Sequence, residues 1–161
     1  EGDIIGRDLA DDDAFPYGPE DSDGNGTALA SLVLAESASA KLVPVRINLE
    51  QSASLAPALA FVAQTPARVV LVSSGGFGAG DPELFREAAL HFDHLLIIKA
   101  ADDVRNVPAD DLANLLTPPS LAAAARAAAT ALEIADSEPD LDGAGLKRAV
   151  LERLARIGWS P

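Results

Sequence analysis

The sequence predicts a single α/β domain of three layers, a mostly parallel sheet with helices on both faces. Three observations lead there. The chain has 161 residues, enough for one well-buried core and too few for two comfortable ones. Its composition, 48% apolar and 23% charged, is that of a packed globule rather than a disordered chain. Short runs rich in Val, Ile and Leu alternate with helical segments of about ten residues, the pattern of βαβ units covered on both sides.

The elements follow in order. "DIIGRDL" (3–9) reads as a short strand, and 10–24 as an acidic loop broken by prolines and glycines. "TALASLVLA" (27–35) has helical composition and is apolar nearly all round, which predicts a buried helix. "KLVPVRI" (41–47) is strand-like, with Pro44 tolerable at an edge or a bulge. "SLAPALAFVAQ" (54–64) returns to helical spacing. "ARVVLVSS" (67–74) is a β-branched strand running into glycines, and "DPELFREAALHF" (81–92) is a helix with Asp81 as N-cap and Pro82 at its first position. "HLLIIKA" (94–100) is a fully apolar strand. Helices are predicted for 108–116, for the alanine-rich 119–135, and for 146–158 with Gly158 as its stop signal.

Composition excludes several function classes. Lys and Arg total 12 against 25 Asp and Glu, a formal charge of −13, so the surface repels nucleic acid and anionic membrane. Cysteine is absent, which removes disulfides, thiolate chemistry and Cys-ligated zinc. No run approaches the roughly 20 apolar residues of a membrane span. With no methionine in the sequence, Glu1 is expected to follow a removed leader, and an acidic Cys-free domain of that kind suits a secreted or periplasmic location.

Two local motifs compete for a ligand. "DSDGNG" (21–26) begins as an EF-hand loop does, but position 12 is Leu32 where a bidentate carboxylate is required, and "FPYGP" precludes an entering helix. Asp11, Asp12, Asp13, Asp21 and Asp23 then read as a solvated acidic loop, and no metal site is expected. "SSGGFGAGD" (73–81) sits where a phosphate-binding turn would, with Asp102 at about the ~20-residue offset of a ribose-binding acid. Its 75–80 glycines have the spacing G-G-x-G-x-G, not G-x-G-x-x-G, and Asp81 and Glu83 would oppose a pyrophosphate at the helix start. Nucleotide binding through this turn, centred on Gly78, is therefore an alternative reading, and no cofactor is expected.

The order of segments resembles the subtilisin-like serine proteases. In that family a helix begins D-G-H-G-T-H-V-A and its first histidine is the catalytic base; here "DGNGTALA" (23–30) puts Asn25 at the base position. A strand like "AKLVPVRI" (40–47) follows, then a helix, then a strand ending S-L-G-G that lines the substrate cleft, matched by "SSGG" (73–76) with Ser73, Ser74 and Gly75. The family's oxyanion asparagine ends the next strand, where "IKAAD" (98–102) has Asp102. Its serine motif opens a long helix followed by P-D-L and another helix, matched by "PPSLAAA" (118–124) with Ser120, "PDL" (139–141) and "LKRAVLERL" (146–154). The match spans nearly the whole chain, each motif is degraded, and the order of the five carries the resemblance.

The resemblance implies a shortened, degenerate domain without hydrolysis. An amide at Asn25 cannot take the proton that a serine must lose, and a carboxylate at Asp102 opposes a developing oxyanion, where loss of one donor alone costs about 3 kcal/mol. Ser120 reads as a helix N-cap, and His91 and His94 as surface residues. The family's catalytic aspartate is expected upstream of residue 1, on a strand lying between the equivalents of 41–47 and 67–74. Either these two strands pair directly, or an upstream segment or a partner chain completes the sheet. The expectation is thus an inactive scaffold or peptide-interaction module; an active serine hydrolase using Ser120 is the other alternative.

Overall fold

A computed structural model describes residues 6–12, 25–47, 55–72, 86–87, 90–99 and 112–159. Helices and parallel strands form a small α/β fold with two sheets among these residues. Strands β1 (Arg7–Asp8) and β2 (Val45–Arg46) pair parallel, and β3 (Val69–Val72), β4 (Leu96–Lys99) and β5 (Leu115–Leu116) form a parallel sheet in that order. The helices are α1 (Asn25–Glu36), α2 (Leu55–Val62), α3 (Leu121–Ser137) and α4 (Gly143–Arg156). Residues 86–87 and 90–91 are helical too, within the segment expected to be a helix.

The core is organised around β4. Leu95, Leu96, Ile97 and Ile98 are fully buried, and successive side chains of a strand point to opposite faces. Leu95 and Ile97 pack with Leu55, Leu59 and Val62 of α2. Leu96 and Ile98 pack with Leu29 and Val33 of α1, with the alanines of α3, and with Leu146, Val150 and Leu154 of α4. Each such Leu or Ile contributes roughly 1.5–3 kcal/mol by burial. Strand β2 joins the core through Val45, which packs on the α2 side.

Local signals set the helix ends. Ser120 has extended backbone (φ −155°, ψ 163°) and its side chain accepts from the Ala123 amide, starting α3. Asp142 does the same for α4, accepting from the Gly145 amide at 2.7 Å. At the other end of α4, Gly158 adopts φ +79°, its N–H donates to the Ala155 carbonyl at 3.1 Å, and the Trp159 N–H reaches the Leu154 carbonyl at 3.1 Å. These two bonds make a Schellman stop, which favours glycine at the left-handed position.

Two expectations are corrected. The helix expected at 108–116 is, over its described part, a turn at 112–114 followed by β5. Asn114 decides this: its side-chain amide donates to the Phe92 and Leu95 carbonyls at 3.1 and 3.0 Å, which fastens 115–116 beside β4 and buries both leucines. Tertiary pairing overrides a weak helical preference. Helix α1 is not buried all round: Leu29 and Val33, four apart, face α3, whereas Leu32 and Leu34 are 37% and 40% exposed. Strand β1 lies beside β2, Arg7 and Asp8 pairing with Val45 and Arg46, and β2 makes no ladder with β3 among the described residues.

Gly143 fixes how α4 meets the sheet. Its N–H donates to the Asp93 carbonyl at 2.9 Å, and a Cβ there would lie 2.3 Å from the Leu95 carbonyl oxygen and 2.7 Å from that of Asp93. Both obstacles are backbone of the segment entering β4, so neither can swing aside. Gly143→Ala is therefore expected to lower unfolding free energy by about 2 kcal/mol or more. Gly26→Ala, whose added methyl meets open space in α1, should instead raise it by up to about 1 kcal/mol. Urea unfolding followed by the fluorescence of Trp159, the single tryptophan, measures both.

Candidate functional site

Strands β3, β4 and β5 run parallel, so their carboxyl ends lie at one edge of the sheet, the edge where α/β proteins place their ligands. From that edge the chain leaves β5 as Thr117-Pro118-Pro119-Ser120 and enters α3. Pro118 is fully buried and Ser120 is exposed, so the two prolines carry the hydroxyl of Ser120 from the core to the surface. The Thr117 hydroxyl, close to β5, is buried without a hydrogen-bond partner among the described residues.

Ser120 Oγ accepts from the Ala123 N–H at 3.1 Å, its only hydrogen bond among the described residues. No imidazole is at hand to take its proton. The chain has two histidines, and both precede β4, at the amino edge of the sheet; Ser120 follows the carboxyl end of β5. Four residues of strand put those edges roughly 13 Å apart, where proton transfer needs about 3 Å or one bridging water. Both histidines are exposed and flank Phe92, with ring centroids 4.8 Å (His91) and 6.3 Å (His94) from it. Among the lysines, Lys147 donates to the Leu112 carbonyl at 2.9 Å, at the amino edge. Lys99 ends β4 and follows Ile98, so by alternation its side chain leaves toward α2, away from α3.

Asn25 opens α1, and its side chain lies outside the described residues. The helices that Asn25 and Ser120 begin pack on each other through Leu29, Val33, Ala124, Ala125 and Ala128, with Arg126 and Glu36 paired at 3.3 Å. Ser73, Ser74, Gly75, the rest of the 75–80 glycine turn, and Asp102 lie outside the described residues, as do Asp13, Asp21 and Asp23 of the acidic loop.

A second polar cluster escaped the sequence reading. Asp8, at the carboxyl end of β1, is 2% exposed. Its Oδ1 accepts from the Ala10 and Asp11 amides at 2.8 and 3.0 Å, and its Oδ2 accepts from Arg46 Nη1 at 2.7 Å. The same Nη1 also bonds Asp11, and Arg7 pairs with Asp12, which sits at φ 57° in the turn. Burial pushes the Asp8 carboxyl upward and is the largest single influence on it. The Arg46 hydrogen bond, the two amides and the Arg46 charge outweigh that and hold it below its ordinary 3.8. The only sequence signals were an acid ending a strand-like run and an arginine inside another, 38 residues apart.

Among the described residues no three His, Asp or Glu side chains group as metal ligands, and Asp8 and Asp11 are already held by Arg46. A shallow groove between Leu112, Ala113, Ala144, Lys147, Arg148, Leu151 and Glu152 lies at the amino edge, opposite Ser120. Comparison with family models, with curated proteins and with solved structures finds no match to the chain.

A cap and a nucleophile respond differently to substitution. Ser120→Ala is expected to destabilise the fold by about 1 kcal/mol, and Ser120→Asp to keep its stability, since aspartate caps equally well and suits the positive end of the helix. Thermal or urea unfolding of the two variants checks this.

Proposed function

We propose that the chain is a shortened subtilase-like domain, three-layered, that no longer hydrolyses peptides and works as a scaffold or interaction module. The observation that carries this reading is the isolation of the Ser120 hydroxyl. It caps α3, and both histidines of the chain stand at the opposite edge of the sheet. A capping serine keeps its own proton and remains a potential donor. Among the described residues no side chain accepts from it, and without an acceptor a serine is a poor nucleophile.

The distribution of β4 side chains between α2 on one side and α1, α3 and α4 on the other supports the layered architecture. Strand β1 pairs with β2 and carries Asp8 at its carboxyl end. The degenerate positions of this reading are Asn25, Asp102 and Ser120, and Asp8 is not a substitute for the relay aspartate. Its carboxylate is committed to Arg46 and two backbone amides, so it is not free to orient a base.

A groove beside Ser73, Ser74 and Gly75 would take an extended peptide by strand addition, and an upstream segment or a partner chain could extend the sheet. A secreted or periplasmic setting fits the acidic, Cys-free composition. No helix among the described residues is long and apolar enough to cross a membrane.

Fluorophosphonate labelling tests the reading directly. The chain is expected to remain unlabelled and to leave casein intact, and Asn25→His alone should not restore either reaction. Labelling that disappears in Ser120→Ala would overturn the proposal in favour of an active serine hydrolase.

A further inference from the structure

Among the described residues the attachment of strand β1 is almost wholly polar. Strand β1 has two residues, and a two-stranded pairing is marginal in water. Its described packing is chiefly on β2, and no residue of 6–12 belongs to either apolar cluster. Two backbone hydrogen bonds flank the pairing, Arg7 N–H to the Pro44 carbonyl at 3.1 Å and Leu9 N–H to the Arg46 carbonyl at 2.9 Å. What remains is the side chain of Arg46, whose Nη1 bonds Asp8 from β1 and Asp11 from the turn that follows.

We propose that Arg46 latches the N-terminal strand onto β2 by holding Asp8 and Asp11 together, and that protonating Asp8 releases residues 7–12 while the β4 core stays folded. The charged groups around Asp8 are Arg46 on β2 and, on its own segment, Asp11, Asp12 and Arg7. Two carboxylates bonded to one nitrogen are close neighbours, so the arginine also suppresses their mutual repulsion. Without it, the strand that should hold the segment would face two like charges. Opening would leave the Pro44 and Arg46 carbonyls unpaired on a bare strand edge, the kind of surface that accepts another extended segment.

The direction of the pH effect follows from Asp8. Its carboxyl is held below 3.8 in the folded chain, so its stabilising contribution is complete above that ordinary value. The contribution is lost as pH falls through the lower folded value. The latch therefore opens on the acid side of 3.8 and is shut at neutrality.

Hydrogen exchange of the full chain, expressed as protection factors, reads the latch residue by residue. The reporters are the Leu9, Ala10 and Asp11 amides, bonded to Arg46 and Asp8; the controls are the Leu96 and Ile97 amides, bonded to the Arg68 and Asn114 carbonyls. Between about pH 7 and about pH 2 the reporters are expected to lose protection before the controls change, because the Asp8 contribution is lost only as pH falls through its lowered folded value. Arg46→Gln should show the same loss already at neutral pH, and Arg46→Lys, which keeps the charge without the planar fork, should retain part of the protection. Asp8→Asn, which mimics the protonated form, serves in place of Arg46→Gln if that variant fails to fold. Reporter protection that is unchanged by acid and by these variants, or that falls only in step with the controls, overturns the proposal.

Discussion

Burial of both faces of one short strand governs the fold. Leu95 to Ile98 offer no polar side chain to either face, so the strand is stable only where helices cover both. Cover on one face comes from α2, whose Leu55, Ala58, Leu59 and Val62 follow the helical spacing i, i+3, i+4, i+7. On the other face, small residues permit close approach: α3 buries six alanines, which lets α1 and α4 pack against it over the same sheet. The entry to β4 is then pinned from two directions, by the Asn114 amide on the Phe92 and Leu95 carbonyls and by the backbone of Gly143 against Asp93 and Leu95. Carbonyls that would otherwise be buried unpaired at the strand entry are thereby satisfied.

Long-range polar contacts supply the fastening that the thin apolar surface outside this core does not. Arg68 reaches from the start of β3 to the Pro139 and Leu141 carbonyls and so anchors the turn between α3 and α4. Arg126 joins α3 to α1 through Glu36, Arg153 joins α4 to α3 through Glu133, and Arg46 joins β2 to the segment containing β1. The exposed pairs contribute at most about 1 kcal/mol each. Arg46 differs because one of its partners is buried, and a buried carboxylate left without its cation is far more costly than a lost surface contact. In a chain with 25 acids and 12 bases, these four arginines act at particular junctions rather than over a general basic surface.

Legibility in the sequence tracked how local the determining interaction was. The β3 and β4 runs, the Ser120 cap and the Gly158 stop are decided within a few residues and could be read directly. The turn and strand at 112–116 could not. "DLANLL" has helical composition, and only the contact of Asn114 with carbonyls 19 and 22 residues earlier makes it a strand. Helix α1 misled for a related reason. Its sequence is apolar on every side, and the choice of which leucines to bury is made by the position of α3, not by its own periodicity. Asp8 and Arg46 were invisible as a pair because nothing in either local pattern refers to the other.

The same distinction bears on the candidate site. The Pro118-Pro119-Ser120 entry to a helix is local and legible, because that arrangement makes a good cap. A relay is not local: it requires three side chains from separate elements to meet within hydrogen-bond distance. Asp8 belongs to no such meeting of side chains: Arg46 and two backbone amides hold its carboxylate, and the arginine that neutralises it stabilises the strand while removing the charge an imidazolium would need. An active relay and the Arg46 clasp make opposite demands on one carboxylate, and in this chain the clasp holds it.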